Sequence, residues 1–172
     1  MGGPVSYAGN LARCAHPAPA LGVTVVGFLL AIAADLELPR ALLVTSAVAA
    51  GQLSIGWSND WRDRDRDRKS GRRDKPLANG AVSARVVGFA TLLAAIACVV
   101  LSLAVGAAPG VLHLSAVAAA WAYNFWLKAT VVSVVPYAVA FGLLPAFVVA
   151  AAPGQPTAPY WLVLSAALLG SG

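Results

Sequence analysis

Apolar residues run through this chain in long stretches, and the charged residues between them mark out the elements. Between Arg13 and Asp35 lie 21 uncharged residues, between Arg40 and Asp60 lie 19, between Arg85 and Lys128 lie 42, and 44 follow Lys128. A helix needs about 20 apolar residues to cross the hydrocarbon core of a bilayer. The first two stretches fit one crossing each and the last two fit two. The long stretches also carry helix breakers near their middles: Gly106-Ala-Ala-Pro109-Gly110 in one, Pro153-Gly-Gln-Pro156 with Pro159 in the other. The pattern predicts spans near Ala18–Ala34, Ala41–Ser58, Val82–Val105, Val111–Leu127 and Val131–Ala152, and a sixth that begins near Pro159. These runs are apolar all round and lack the alternation of barrel strands. The predicted fold is therefore all-α: a polytopic transmembrane helical bundle, one domain over residues 1–172.

Composition strengthens this picture. The chain is 59% hydrophobic and 11% charged, where a soluble domain carries roughly 25% charged residues. Too few polar residues remain to cover a soluble surface. Thirteen of the nineteen acidic and basic residues fall between Asp60 and Lys75. The net charge of +5 is thus concentrated, unlike the diffuse basic surface of a nucleic-acid binder. Arg13 before the first run and Ala-Ile-Ala at its end also fit a signal peptide, but five further apolar runs favour a membrane span. Alternating spans put eleven of the twelve Lys and Arg residues on one side and only Arg40 on the other. Basic residues collect on the cytoplasmic face, so the charged loops are expected there, in the cell membrane. Cys14 and Cys98 are not expected to pair. His16 and His113 have no metal-ligand partner at useful spacing, and a packing or interfacial role is expected for both.

The charged loop holds the candidate chemistry. It reads Asn59-Asp-Trp-Arg-Asp63-Arg-Asp65-Arg-Asp67-Arg-Lys-Ser-Gly71-Arg72-Arg73-Asp-Lys75-Pro. If the second span continues as helix through Asp67, then Asn59, Asp60, Asp63 and Asp67 share one face at about 100° per residue. Asp65 points away, and Arg62, Arg64 and Arg68 flank the face. Carboxylates stacked on successive turns repel one another unless a cation offsets them. Magnesium commonly combines one or two carboxylates with substrate phosphates. Arg72, Arg73 and Lys75 follow, between Gly71 and Pro76, and cationic side chains suit phosphate oxygens. The layout is that expected of a Mg²⁺–diphosphate site. A solvated, positive-inside loop is the simpler alternative.

These residues also carry a resemblance. Asn59-Asp60-x-x-Asp63-x-x-x-Asp67 is similar to the first aspartate-rich motif of the UbiA family of membrane prenyltransferases, which ends that family's second span. Gly71-Arg-Arg-Asp-Lys75-Pro-Leu-Ala-Asn-Gly80 resembles the loop that follows. Tyr123-Asn-Phe-Trp-Leu-Lys128, closing the fourth span, resembles the family's Tyr-x-x-x-x-Lys. The resemblance runs from Pro17 onward. It implies Mg²⁺-dependent transfer of an isoprenyl group from a polyprenyl diphosphate to a small acceptor, usually an aromatic ring. It implies that Asp63 and Asp67 ligate the metal, with Asp60 and Asn59 close by. Arg72, Lys75 and Lys128 would hold phosphate oxygens, and Tyr123 would face the allylic cation. Tyr123, Phe125 and Trp126 also fit an interfacial aromatic belt, and Lys128 a snorkelling anchor. The apolar spans would house the isoprenoid tail.

The resemblance further implies about nine spans and a second aspartate-rich motif after the sixth. From Pro159 to Gly172 are 14 residues, roughly 21 Å of helix. The chain is therefore expected to be the N-terminal portion of a longer enzyme, and to be inactive or crippled alone. Two other classes stay open: a membrane terpene cyclase on the same scaffold, and a non-enzymatic membrane protein whose basic loop binds anionic lipid or a partner.

Overall fold

The computed structural model describes residues 6–154 and 156–171. Among them there are helices and no strands. Seven α-helices follow one another: α1 (Tyr7–Cys14), α2 (Pro17–Ala33), α3 (Leu38–Lys69), α4 (Ala84–Val105), α5 (Ala107–Ala122), α6 (Val134–Ala150) and α7 (Tyr160–Ser171). A π-helical turn, Tyr123–Leu127, extends α5.

Local sequence sets most of the ends. Ser6 caps α1 through Gly9 N, and Ser83 caps α4 through Val86 N. Prolines stand in the first turns of α2 and α3, where a missing N–H costs nothing. Gly106 alone joins α4 to α5, at φ 146°, a conformation open to glycine. Pro109 and Gly110 therefore lie inside the first turn of α5. The expected break across Gly106–Gly110 is a one-residue joint, because proline is tolerated in a first turn. Likewise α6 begins at Val134, later than the expected Val131, and α1 is an added helix that the apolar pattern does not mark.

Among the described residues two helices, α3 and α4, are long and apolar enough to cross a membrane. The bent pair α1–α2, angled at 64°, makes a third if taken together, and α6 and α7 are shorter apolar helices. Helix length alone thus supports fewer full crossings than the charge gaps predict. The gaps also count residues that fold as turns, such as 129–133.

Packing joins α2 to α3, α3 to α4, α4 to α5 and α5 to α6, with α6 touching α2 and α7 lying on α6. Helices α2 to α6 therefore close into a ring. Its core gathers Ala31, Ala41, Val44, Val48, Leu144, Phe147 and Val148. Small residues let the backbones approach. A Cβ on Gly56 would stand 2.2 Å from the Ala15 carbonyl oxygen, and one on Gly110 would stand 2.7 Å from that of Ser102. Outside the ring, Leu21, Phe89, Leu92, Val100 and Leu168 are exposed. A water-facing surface would be polar; this one suits lipid tails.

Candidate functional site

Helix α3 continues unbroken past the apolar run to Lys69. Its last three turns carry the acidic face, and the face is turned inward. Asp60, Asp63 and Asp67 are buried at 3%, 6% and 4% exposure. Asp65 points out, with Arg64 3.5 Å away. Gly71, at φ 67°, then turns the chain so that residues 72–82 fold back over the carboxylates. Leu77 and Val82 pack with Cys14 and Val87 beneath this segment and hold it down.

Each buried carboxylate meets a cation from elsewhere. Lys75 Nζ lies 2.9 Å from Asp60 Oδ1 and 2.9 Å from Asp67 Oδ2. Asp67 Oδ2 is thus a buried oxygen answered by the Lys75 ammonium. Burial works against the Lys75 charge, but its contacts to Asp67 and Asp60 outweigh this and hold its pKa above the ordinary value. Lys128 Nζ lies 2.5 Å from Asp63 Oδ2 and 2.8 Å from Asn59 Oδ1. Arg66 adds a 2.7 Å bond to Asp63.

Lys128 reaches this position through the π turn, where its N–H bonds the Tyr123 carbonyl five residues back. The wider turn takes in one more residue than an α-turn and so re-aims the side chains at its C-terminal end. Tyr123 lies on the same side, its ring 6.0 Å from Lys128 Nζ and edge-to-face with Tyr137 at 4.7 Å. Asn124 turns inward and donates to Ser58 Oγ and the Ile55 carbonyl, tying the π turn to α3.

His16 departs from expectation. Its Nε2 is 2.8 Å from Asp60 Oδ1 and 3.4 Å from Asn59 Nδ2. Sequence spacing could not find it, because 44 positions separate it from Asp60. The one local signal is Pro17: a residue before proline is kept out of the right-handed helical region. His16 adopts φ 53° and joins α1 to α2. The left-handed backbone costs roughly 1–2 kcal/mol and brings the imidazole to the carboxylates. His113, in contrast, stacks on Phe147 inside the bundle, as a packing role implies.

Arg72 is not on the carboxylates. It pairs with Asp74 at 2.8 Å, which lowers the Asp74 pKa to about 2 and raises that of Arg72. Both residues still line, with Lys75, Asp60, His16 and Arg13, a charged pocket of about 380 Å³. Next to it lies an apolar cavity of about 390 Å³ between α2, α3, α5 and α6. Asn59, Lys128 and Tyr123 line its charged end, and Val48, Ala116 and Leu144 line its depth. His16 borders both spaces.

This arrangement can hold an anion at the ring's polar end and an apolar body beneath it. Among the described residues, no three acidic, His or Cys side chains are grouped as a ready-made metal site. Neither a curated protein nor a solved structure matches the chain. The family model for the UbiA prenyltransferase family matches residues 20–171. With that match over most of its length, and an apolar helical bundle bearing an inward acidic face, the chain belongs to the UbiA prenyltransferase family.

Proposed function

We propose that this chain carries the donor site for Mg²⁺-dependent transfer of an isoprenyl group from a polyprenyl diphosphate to a small aromatic acceptor. The observation that carries the reading is the inward face of Asp60, Asp63 and Asp67, ringed by Lys75, Lys128 and His16, at the mouth of an apolar cavity. The donor set fits magnesium. Asp67 Oδ2 is buried and answered by a single mobile cation, Lys75, which a bound ion could displace toward phosphate, and Mg²⁺ asks for only one or two carboxylates when phosphates complete its shell. Asp63 and Asp67 would hold the ion, with Asp60 beside them. When bound, it would neutralise the leaving diphosphate.

The chain's own residues supply the rest. Lys75 and Lys128 hold phosphate oxygens as point charges. Arg72 lines the charged pocket with Lys75 and joins the two lysines once it leaves Asp74. The C–O bond of the donor breaks with its electron pair on the diphosphate. The allylic carbon bonds a ring carbon of the acceptor, and that ring then loses a proton. Tyr123 offers its ring face to the allylic charge, and the apolar cavity excludes water from it. The charged end faces the cytoplasm under the positive-inside rule. Residues 1–172 act as one transmembrane domain.

Binding of a radiolabelled polyprenyl diphosphate in detergent tests the reading. Binding that needs both Mg²⁺ and the Asp63/Asp67 pair supports it. Binding indifferent to Mg²⁺ and to Asp63→Asn/Asp67→Asn overturns it and leaves a basic loop that attracts anionic lipid.

A further inference from the structure

Both carboxylates proposed for the metal already carry a cation of the chain's own. On Asp63 Oδ2 stand Lys128 Nζ, at 2.5 Å, and Arg66 Nη2, at 2.7 Å. On Asp67 Oδ2 stands Lys75 Nζ, at 2.9 Å. The same ammonium reaches Asp60 Oδ1, also at 2.9 Å, and its side chain is only 15% exposed. A divalent ion on Asp67 Oδ2 would stand beside this ammonium, and like charges that close repel strongly where water is scarce. Metal and lysine therefore compete for one oxygen.

The two acids differ in what remains when Lys75 withdraws. Asp60 Oδ1 keeps His16 Nε2, at 2.8 Å. Asp67 Oδ2 keeps no group among the described residues. Withdrawal thus opens Asp67 and leaves Asp60 answered. It is a motion of the side chain alone. The Lys75 N–H bonds the Arg72 carbonyl at 3.2 Å, and Leu77, two residues on, is locked among Cys14, Val82 and Val87. The four-carbon stem is flexible enough to swing the ammonium. The space open to it is the charged pocket, where Arg13 and Arg72 already stand. Besides Asp60, the acid lining that pocket is Asp74, and Arg72 holds it through two bonds. Without an anion there, the swinging ammonium meets like charge. A diphosphate in the pocket reverses the balance, because its oxygens take the ammonium and Asp67 is left for the ion.

We infer that Lys75 is an internal counter-cation that keeps Mg²⁺ off Asp67 until a diphosphate draws its ammonium away, so that metal and diphosphate enter the site together. The inference rests on the prenyl-transfer reading and adds to it the order in which the site fills. The coupling is reciprocal: the factor by which diphosphate raises affinity for the ion is the factor by which the ion raises affinity for diphosphate.

The decisive measurement is made on the ion alone. The full chain is held in nanodiscs of neutral lipid with no phosphate compound added, Mn²⁺ replaces Mg²⁺, and electron paramagnetic resonance counts the free ion against empty nanodiscs. Lys75→Met should bind Mn²⁺ at least about tenfold more tightly than the unaltered chain. That gain should vanish in Lys75→Met/Asp67→Asn, which locates the ion. Lys69→Met removes an equal charge from an exposed position of α3 and should stay within about threefold of the unaltered chain, since exposed charge is screened. No gain in Lys75→Met, an equal gain in Lys69→Met, or a gain that survives Asp67→Asn overturns the inference. Should Lys75→Met lose its helical circular dichroism, Lys75→Gln is judged by the same criteria, because its amide keeps a donor beside the carboxylates without the charge. Binding of the radiolabelled polyprenyl diphosphate is scored separately. A tenfold gain in Lys75→Met, with diphosphate binding indifferent to Mg²⁺, removes prenyl transfer and the diphosphate trigger and leaves a lysine-guarded cation site. Mg²⁺-dependent diphosphate binding without that gain removes the counter-cation alone.

Discussion

Lys128 Nζ stands 2.5 Å from Asp63 Oδ2, although 65 positions separate the two residues. The contact joins the π turn after α5 to the polar end of α3. It leaves Asp63 with two cations, Lys128 and the more exposed Arg66. Lys128→Met should therefore weaken the fold by about 1–3 kcal/mol, since Arg66 remains to answer the buried carboxylate. Denaturant unfolding in mixed micelles measures this. A midpoint equal to that of the unaltered chain would show that the pair contributes nothing to stability.

Lys75 predicts an alkaline limit. Its pKa is raised in the folded chain by its contacts to Asp67 and Asp60, which outweigh the burial that opposes them. A raised folded pKa contributes stability that is fully present below the ordinary lysine value and is lost as pH rises through the folded one. Melting temperature should hold from neutral pH up to that range and fall above it. In Lys75→Met this decline should flatten. An identical alkaline profile in both proteins would refute the assignment.

Two glycines on neighbouring helices should respond in opposite directions. At Gly56 a Cβ would sit 2.2 Å from the Ala15 backbone oxygen, which cannot swing aside. Gly56→Ala should cost about 1–3 kcal/mol and move His16 off Asp60. At Gly22, within α2, nothing lies within 4 Å. Gly22→Ala should gain about 0.4–1 kcal/mol by restricting the unfolded chain. Thermal unfolding of the two variants side by side checks both signs.

Arg40 binds the far end of the bundle. Its guanidinium donates to the carbonyls of Val105, at 2.8 Å, and Ala151. These close the C-terminal ends of α4 and α6, where helix carbonyls lack partners and a positive charge is favoured. Arg40→Met should cost about 1–3 kcal/mol through the freed carbonyls while leaving diphosphate binding intact. Hydrogen exchange should rise first at the α4–α5 joint and after α6. Faster exchange confined to the charged end would contradict this role.

Distance along the chain decides how much of the site is legible in the sequence. The acidic face lies within one helix, so a fixed rotation per residue sorts Asp60, Asp63 and Asp67 from Asp65 without tertiary information. Helix α3 runs through that face as expected. The Gly71 turn is legible because glycine alone adopts that backbone without cost. Charge by itself places Arg72 with the phosphate-binding cations, yet its nearest carboxylate is its own neighbour Asp74, two residues on.

The apolar runs and their charged boundaries determined by themselves that this chain folds as lipid-facing helices with one polar end, because burial of apolar surface is a property of composition and local periodicity. They also determined the shared face of the carboxylates, by helix geometry. Only the tertiary structure decided what answers them. His16 from the α1–α2 corner, Lys128 from the π turn and Lys75 from the folded-back loop converge from distant segments. It alone set the one-residue joint at Gly106 and the contact of His113 with Ser102. These depend on which backbones approach closely enough to place partners within hydrogen-bond reach, and that distance is written in no single segment.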